Sequence, residues 1–124
     1  YLGVHEGPQN ISPRSREPLQ EGMIISNEPG YYKPNDYGIR IENLVTVVKS
    51  KTRGKDLCLE TLTLAPITKL LINIDMMTEK EIIWINNYHK NVYEKLSPFM
   101  NKKERNWLKI ATEAIDPFHS RLRH

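Results

Sequence analysis

Two short apolar segments of this chain each carry a carboxylate, and that pairing constrains the fold more than any other feature. Met23-Ile24-Ile25-Ser26-Asn27-Glu28 runs into Pro29-Gly30, and Gly38-Ile39-Arg40-Ile41-Glu42-Asn43 opens a second run. A carboxylate withdrawn from water without a partner costs several kcal/mol. Two on neighbouring strands repel each other unless a cation lies between them. Hard oxygen ligands of this kind suit a divalent metal. An ion pair with Arg40 explains one acid and leaves the other inside an apolar strand, so structural pairing and metal ligation both stay open on spacing alone.

The elements around the pair follow from periodicity and turn residues. Residues 1–5 read as the end of a strand, and residues 6–22, with Gly7, Pro8, Pro13, Pro18 and Gly22, read as loop. Met23 to Glu28 and Ile39 to Val48 read as strands, the second alternating and β-branched. Side chains alternate along a strand, so Ile24, Ser26 and Glu28 point together, as do Arg40 and Glu42. Antiparallel pairing then brings Glu28 near Glu42. The connection, residues 29–38, is too long for a tight hairpin. Leu57 to Leu64 reads as a third strand, with Leu57, Leu59, Thr61 and Thr63 on one face. Ile67 to Ile74 reads as an extended piece with room for a fourth.

The chain changes character near Asp75. Thr78, with Glu81 three residues on, fits a capping box for a helix to about Leu96, its buried stripe being Ile82, Ile85, Tyr88, Val92 and Leu96. His89 reads as a surface or packing residue. Ser97-Pro98 stops this helix. Asn101 caps a second through about Ile115, with Trp107, Leu108, Ala111, Ala114 and Ile115 inward, and Asp116-Pro117 ends it. The expected division is therefore residues 1–75, carrying the carboxylate strands, and residues 76–124, a two-helix extension of the same domain. The fold class is α/β (α+β in stricter usage), antiparallel strands followed by two helices.

Composition excludes several classes. The 124 residues are 39% hydrophobic and 27% charged, ordinary for a globular chain. Lys and Arg give a net charge of +3 but are spread among acids, as in Lys102-Lys103-Glu104-Arg105, so no nucleic-acid partner is expected. No apolar run approaches the roughly 20 residues that span a bilayer, and no membrane partner is expected. Cys58 is alone, which fits a reducing compartment and a cytoplasmic location. No zinc-finger spacing, phosphate loop or Ser-His-Asp set is present. The chain opens on Tyr1 in an apolar run, which reads as a fragment or processed product.

Taken in order, Val4-His5-Glu6-Gly7-Pro8, Glu17-Pro18-Leu19, Glu21-Gly22-Met23, Asn27-Glu28-Pro29-Gly30-Tyr31-Tyr32 and Gly38-Ile39-Arg40-Ile41-Glu42-Asn43 resemble the C-terminal part of Xaa-Pro aminopeptidases (aminopeptidase P). These are pita-bread metallopeptidases. Leu62-Thr63-Leu64-Ala65-Pro66-Ile67 and Trp84-Ile85-Asn86-Asn87-Tyr88-His89 resemble the long, three-domain members. The resemblance implies the C-terminal half of a pita-bread fold and hydrolysis of the bond between an N-terminal residue and proline. It implies two divalent ions, often manganese, on two Asp, one His and two Glu. Glu28 matches the Glu that binds one ion, and Glu42 the Glu that bridges both. His5 matches a His that contacts the substrate, and Tyr32 and Arg40 match residues that hydrogen-bond around the carboxylates. The matching Asp and His ligands of the family lie upstream of Tyr1, so this stretch alone is expected to be inactive. Peptides with proline second are the implied partners, with a homodimer or other self-association. A prolidase or other pita-bread peptidase, and a non-catalytic or dimerising remnant, are the alternatives.

Overall fold

The computed structural model describes residues 7–52, 54 and 56–116. The chain divides into two compact units after Thr63.

In the first unit, β1 (Ile24–Asn27), β4 (Asn43–Lys49) and β5 (Leu57–Thr61) form an antiparallel sheet with β4 in the middle. β4 explains the arrangement. Asn43, Val45 and Val47 are buried while the residues between them are not, the period of a strand with one face on a core. Val45 lies opposite Ile25, and Leu19 and Met23 pack against this cluster. β5 pairs Leu59 with Val47 and Thr61 with Val45, so the expected face of Leu57, Leu59 and Thr61 forms. The strand stops at Thr61, short of Leu64. Beyond it the Leu62 N–H turns to Leu44 O at 2.8 Å, and Thr63 Oγ1 accepts the Leu44 N–H at 2.8 Å.

The connection expected as loop holds a second hairpin. β2 (Gly30–Tyr32) pairs with β3 (Gly38–Arg40). Its turn is closed by Lys33 N–H to Tyr37 O at 2.8 Å, with Asn35 at φ 57°, a left-handed conformation that Asn tolerates. The expected single strand from Ile39 to Val48 is therefore two, broken at Ile41 and Glu42. Proline at 29 is the physical reason: it has no N–H to give to a ladder.

In the second unit, α1 (Glu79–Leu96) starts where the sequence indicates. Thr78 Oγ1 accepts the Glu81 N–H, and the Glu81 carboxylate accepts the Thr78 N–H at 2.8 Å. Ile82, Ile85, Tyr88, His89 and Val92 are buried and Leu96 is half-buried. His89 is thus a core residue, fully enclosed. The extended piece and fourth strand expected over Ile67 to Ile74 are replaced by two 3-10 turns, Lys69–Leu71 and Ile74–Met76. Helix side chains supply part of what a neighbouring strand would have given. Tyr88 Oη donates to Ala65 O at 2.8 Å, and His89 Nε2 accepts the Ile67 N–H at 3.0 Å.

A short turn over Ser97–Phe99 leads to α2 (Lys102–Ala111), capped by Asn101 and Glu104. This helix ends four residues before the expected Ile115. Asn86 holds the Ile115 backbone from both sides, Nδ2 donating to Ile115 O at 3.0 Å and Oδ1 accepting its N–H at 2.8 Å. Lys69 Nζ donates to Ile110 O in the last turn of α2 and to Glu113 O just past it, at 3.2 and 2.7 Å, which sets a cation at the helix's negative end. Leu108 and Ile115 are buried and Ala111 is half-buried, but Trp107 and Ala114 are exposed. Pro117, the expected stop, lies outside the described residues.

Candidate metal-ligand site

The two carboxylates meet where the hairpin is interrupted. Continuing the β1–β4 ladder one step beyond Asn27 and Asn43 sets Glu28 against Glu42. The next step sets Pro29 against Ile41, joined by the Ile41 N–H to Pro29 O at 3.2 Å. The one after is Gly30 with Arg40, the first pair of the β2–β3 ladder. Register is thus kept across the break, and by alternation Ser26, Glu28, Tyr32, Arg40 and Glu42 belong to one face.

Arg40 ties the face together. Its Nη1 donates to Glu28 Oε2 at 2.8 Å, and its Nε lies 3.6 Å from Glu42 Oε2. The other Glu28 oxygen, Oε1, accepts the Ser26 hydroxyl at 2.9 Å. Glu28 is the more enclosed of the acids, its side chain 26% exposed against 44% for Glu42. Opposite Arg40 stands Gly30, which has no side chain of its own to contest the space that the Tyr32 ring takes. The Tyr32 ring crosses both glycines of the hairpin. A Cβ on Gly38 would come within 2.6 Å of Tyr32 Cδ1, and one on Gly30 within 2.8 Å of its Cε2.

Of the expected residues, Glu28, Arg40 and Glu42 are brought together and Tyr32 shares their face; His5 lies outside the described residues. Sequence reasoning placed Ser26 on this face but gave it no role. The signal was available: a hydroxyl two residues before a strand-end carboxylate points the same way. Ion pairing and metal binding are compatible here, since one guanidinium leaves most of the carboxylate lone pairs to other donors or a metal. The donor set fits a hard divalent ion as part of a site. Among the described residues no group of three or more His, Cys, Asp or Glu is placed to hold a metal.

A cavity of about 560 Å³ opens beside Glu28, bounded by Gln9, Asn10, Ile11, Ser12 and Pro29 among others. Among the described residues no helix is long and apolar enough to cross a membrane.

Two family descriptions match in succession: "Metallopeptidase family M24" over residues 1–49 and "C-terminal region of peptidase_M24" over residues 55–115. The chain belongs to the M24 metallopeptidases. Within that family it is similar to Xaa-Pro aminopeptidases. It is 45% identical over 119 residues to "Xaa-Pro aminopeptidase 1" of Dictyostelium discoideum, covering 88% of this chain and 19% of the relative. It is 43% identical over 123 residues to "Aminopeptidase P1" of Arabidopsis thaliana, covering 93% and 19%. Among solved structures, the X-prolyl aminopeptidase of Caenorhabditis elegans, described as a cytosolic enzyme with a di-nuclear active site, superposes with a TM-score of 0.78 at 35% identity. That match covers 92% of this chain and 20% of the other. The architecture is the C-terminal part of a pita-bread fold. The chain spans about a fifth of the length of the curated relatives it matches.

Proposed function

We propose that these residues are the C-terminal part of the catalytic domain of an Xaa-Pro aminopeptidase, which removes an N-terminal residue preceding proline. The observation that carries this reading is the opposition of Glu28 and Glu42 across an interrupted hairpin, both held by Arg40. Residues 1–75 serve the metal site and residues 76–124 extend the domain. Glu28 would hold one of two divalent ions, manganese by family resemblance, and Glu42 would bridge both. When bound, such ions lower the pKa of a water and polarise the scissile carbonyl.

The chain's own groups do the positioning. Arg40 fixes the carboxylates so that their remaining lone pairs face the site. Ser26 holds Glu28 Oε1 and sets the direction from which that oxygen takes or relays a proton. Tyr32, steered by Gly30 and Gly38, borders the same face. His5 hydrogen-bonds the substrate carbonyl as charge develops on it. Peptides with proline second are the substrates, the location is cytosolic, and the subunits self-associate.

The test is release of the first residue from an Xaa-Pro peptide by a full-length chain carrying these residues, with manganese added. Glu42→Ala abolishes release, Glu28→Ala nearly does so, and His5→Ala slows it while metal stays bound. A near-normal rate in Glu42→Ala contradicts the bridging role. The 124 residues alone are expected to show no metal-dependent turnover, because their described part gathers two carboxylates and no larger ligand group.

A further inference from the structure

We infer that the groove lined by α1 and α2 is a binding site for a free apolar amino acid, whose carboxylate Lys109 takes and whose ammonium Glu113 takes. Every residue lining the groove lies in the second unit, so the inference stands apart from the peptidase reading. The groove has a volume of about 650 Å³, within the roughly 300–1,000 Å³ of small-molecule sites. Asn86, Lys90 and Tyr93 of α1 line one side at spacings of four and three, the stripe of a single helix face. Lys109 and Ile110 of α2 line the other, with Glu113 just beyond the helix end.

The charges of the groove are what select the ligand. Lys90 already has an anion nearby, Glu94 Oε1 at 3.9 Å. Among the described residues neither the Lys109 ammonium nor the Glu113 carboxylate has an ion-pair partner. Oppositely charged residues four apart on a helix ordinarily meet. Here α2 stops at Ala111, and the Glu113 N–H turns back to Ile110 O at 3.3 Å, so the helical spacing is not kept. One cation and one anion are thus left on the same groove. A singly charged ligand answers one of them, whereas a zwitterion answers both with charge-assisted hydrogen bonds. Ile110, 61% exposed, and the half-buried Tyr93 ring offer apolar surface to the ligand's side chain. The wall beside Glu113 is fixed before any ligand arrives. Lys69 Nζ holds Glu113 O, the Asn86 amide holds the Ile115 backbone, and the Thr112 hydroxyl donates to Leu108 O at 2.7 Å. A site built in advance spends less of its binding energy on ordering.

The test is titration calorimetry of the full-length chain with leucine, with N-acetylleucine, which lacks the ammonium, and with leucinamide, which lacks the carboxylate. The wild type is expected to bind leucine at millimolar concentration or below, and each derivative about tenfold more weakly (about 1.4 kcal/mol). Glu113→Gln is expected to weaken leucine about tenfold (about 1.4 kcal/mol) and to leave N-acetylleucine as it was. Lys109→Met is expected to weaken leucine equally and to leave leucinamide as it was. This crossed pattern ties each charge of the ligand to one side chain, which a general disturbance of the groove does not do. Three results overturn the site: no binding of leucine, leucine binding that survives both substitutions, as it would at any other place on the chain, or equal loss for all three ligands. Where a variant fails to fold, the wild type alone decides. A tenfold preference for leucine over both derivatives then supports the site, and equal binding of the three overturns it.

Discussion

Arg40 serves both acids of the site, and its value is geometric more than thermodynamic. Its side chain is 49% exposed, and ion pairs in such surroundings contribute about 0–1 kcal/mol to stability. A planar guanidinium nevertheless holds Glu28 through one nitrogen while a second faces Glu42. The single ammonium of lysine has no such fork. Arg40→Lys should therefore leave the melting temperature nearly unchanged while lowering metal affinity or peptidase activity about 10- to 100-fold, the usual effect of disturbing groups that orient metal ligands. Matched thermal melts and metal titrations check it. A large loss of stability with metal affinity intact would mean that Arg40 is a structural pair alone. The sequence showed both acids and the arginine on one face because alternation is a local property. It did not show the hairpin between them, since that depends on Pro29 withholding a ladder bond and on Gly30 and Gly38 making way for Tyr32.

At the scale of elements, α1 was legible to its first residue and α2 was not legible at its end. The difference is where the capping groups sit. Thr78 and Glu81 lie within four residues of each other and cap α1 locally. The C-terminus of α2 is held by Lys69, 41 residues upstream of Ile110, and by Asn86, 29 before Ile115, partners that no periodicity reveals. Trp107 fits an inward stripe by spacing, yet Leu108 faces the core. His89 escaped for a related reason: its buried partner is the Ile67 N–H on a segment that reads as strand. Because Nε2 accepts, the proton sits on Nδ1, which is buried with no partner among the described residues. Burial, then the nearby Lys69 charge, holds the His89 pKa below its ordinary 6.5. The unfolded chain thus takes up the second ring proton, which charges the imidazole, more readily than the folded one. The associated stability is whole above about pH 6.5 and is lost as pH falls through the lowered folded value. Urea melts of wild type and His89→Gln, which keeps an acceptor for Ile67, should differ in slope below pH 6.5, the variant being less acid-sensitive. Parallel slopes would contradict a neutral, buried His89.

For the whole molecule, the open face of the first unit agrees with a role inside a larger catalytic domain. Ile24 and Leu44 share the carboxylate face and are 54% and 47% exposed. Apolar surface of this kind beside paired carboxylates suits a face that further chain covers. The central claim is that Glu28 and Glu42 are ligands of one dinuclear centre and Arg40 their organiser. The most direct measurement is metal stoichiometry, by elemental analysis after gel filtration, of the full-length chain and its two Glu→Ala variants. The account predicts two ions per subunit in the wild type, loss of both when Glu42 is replaced, and retention of one when Glu28 is replaced. Full occupancy in Glu42→Ala would contradict it.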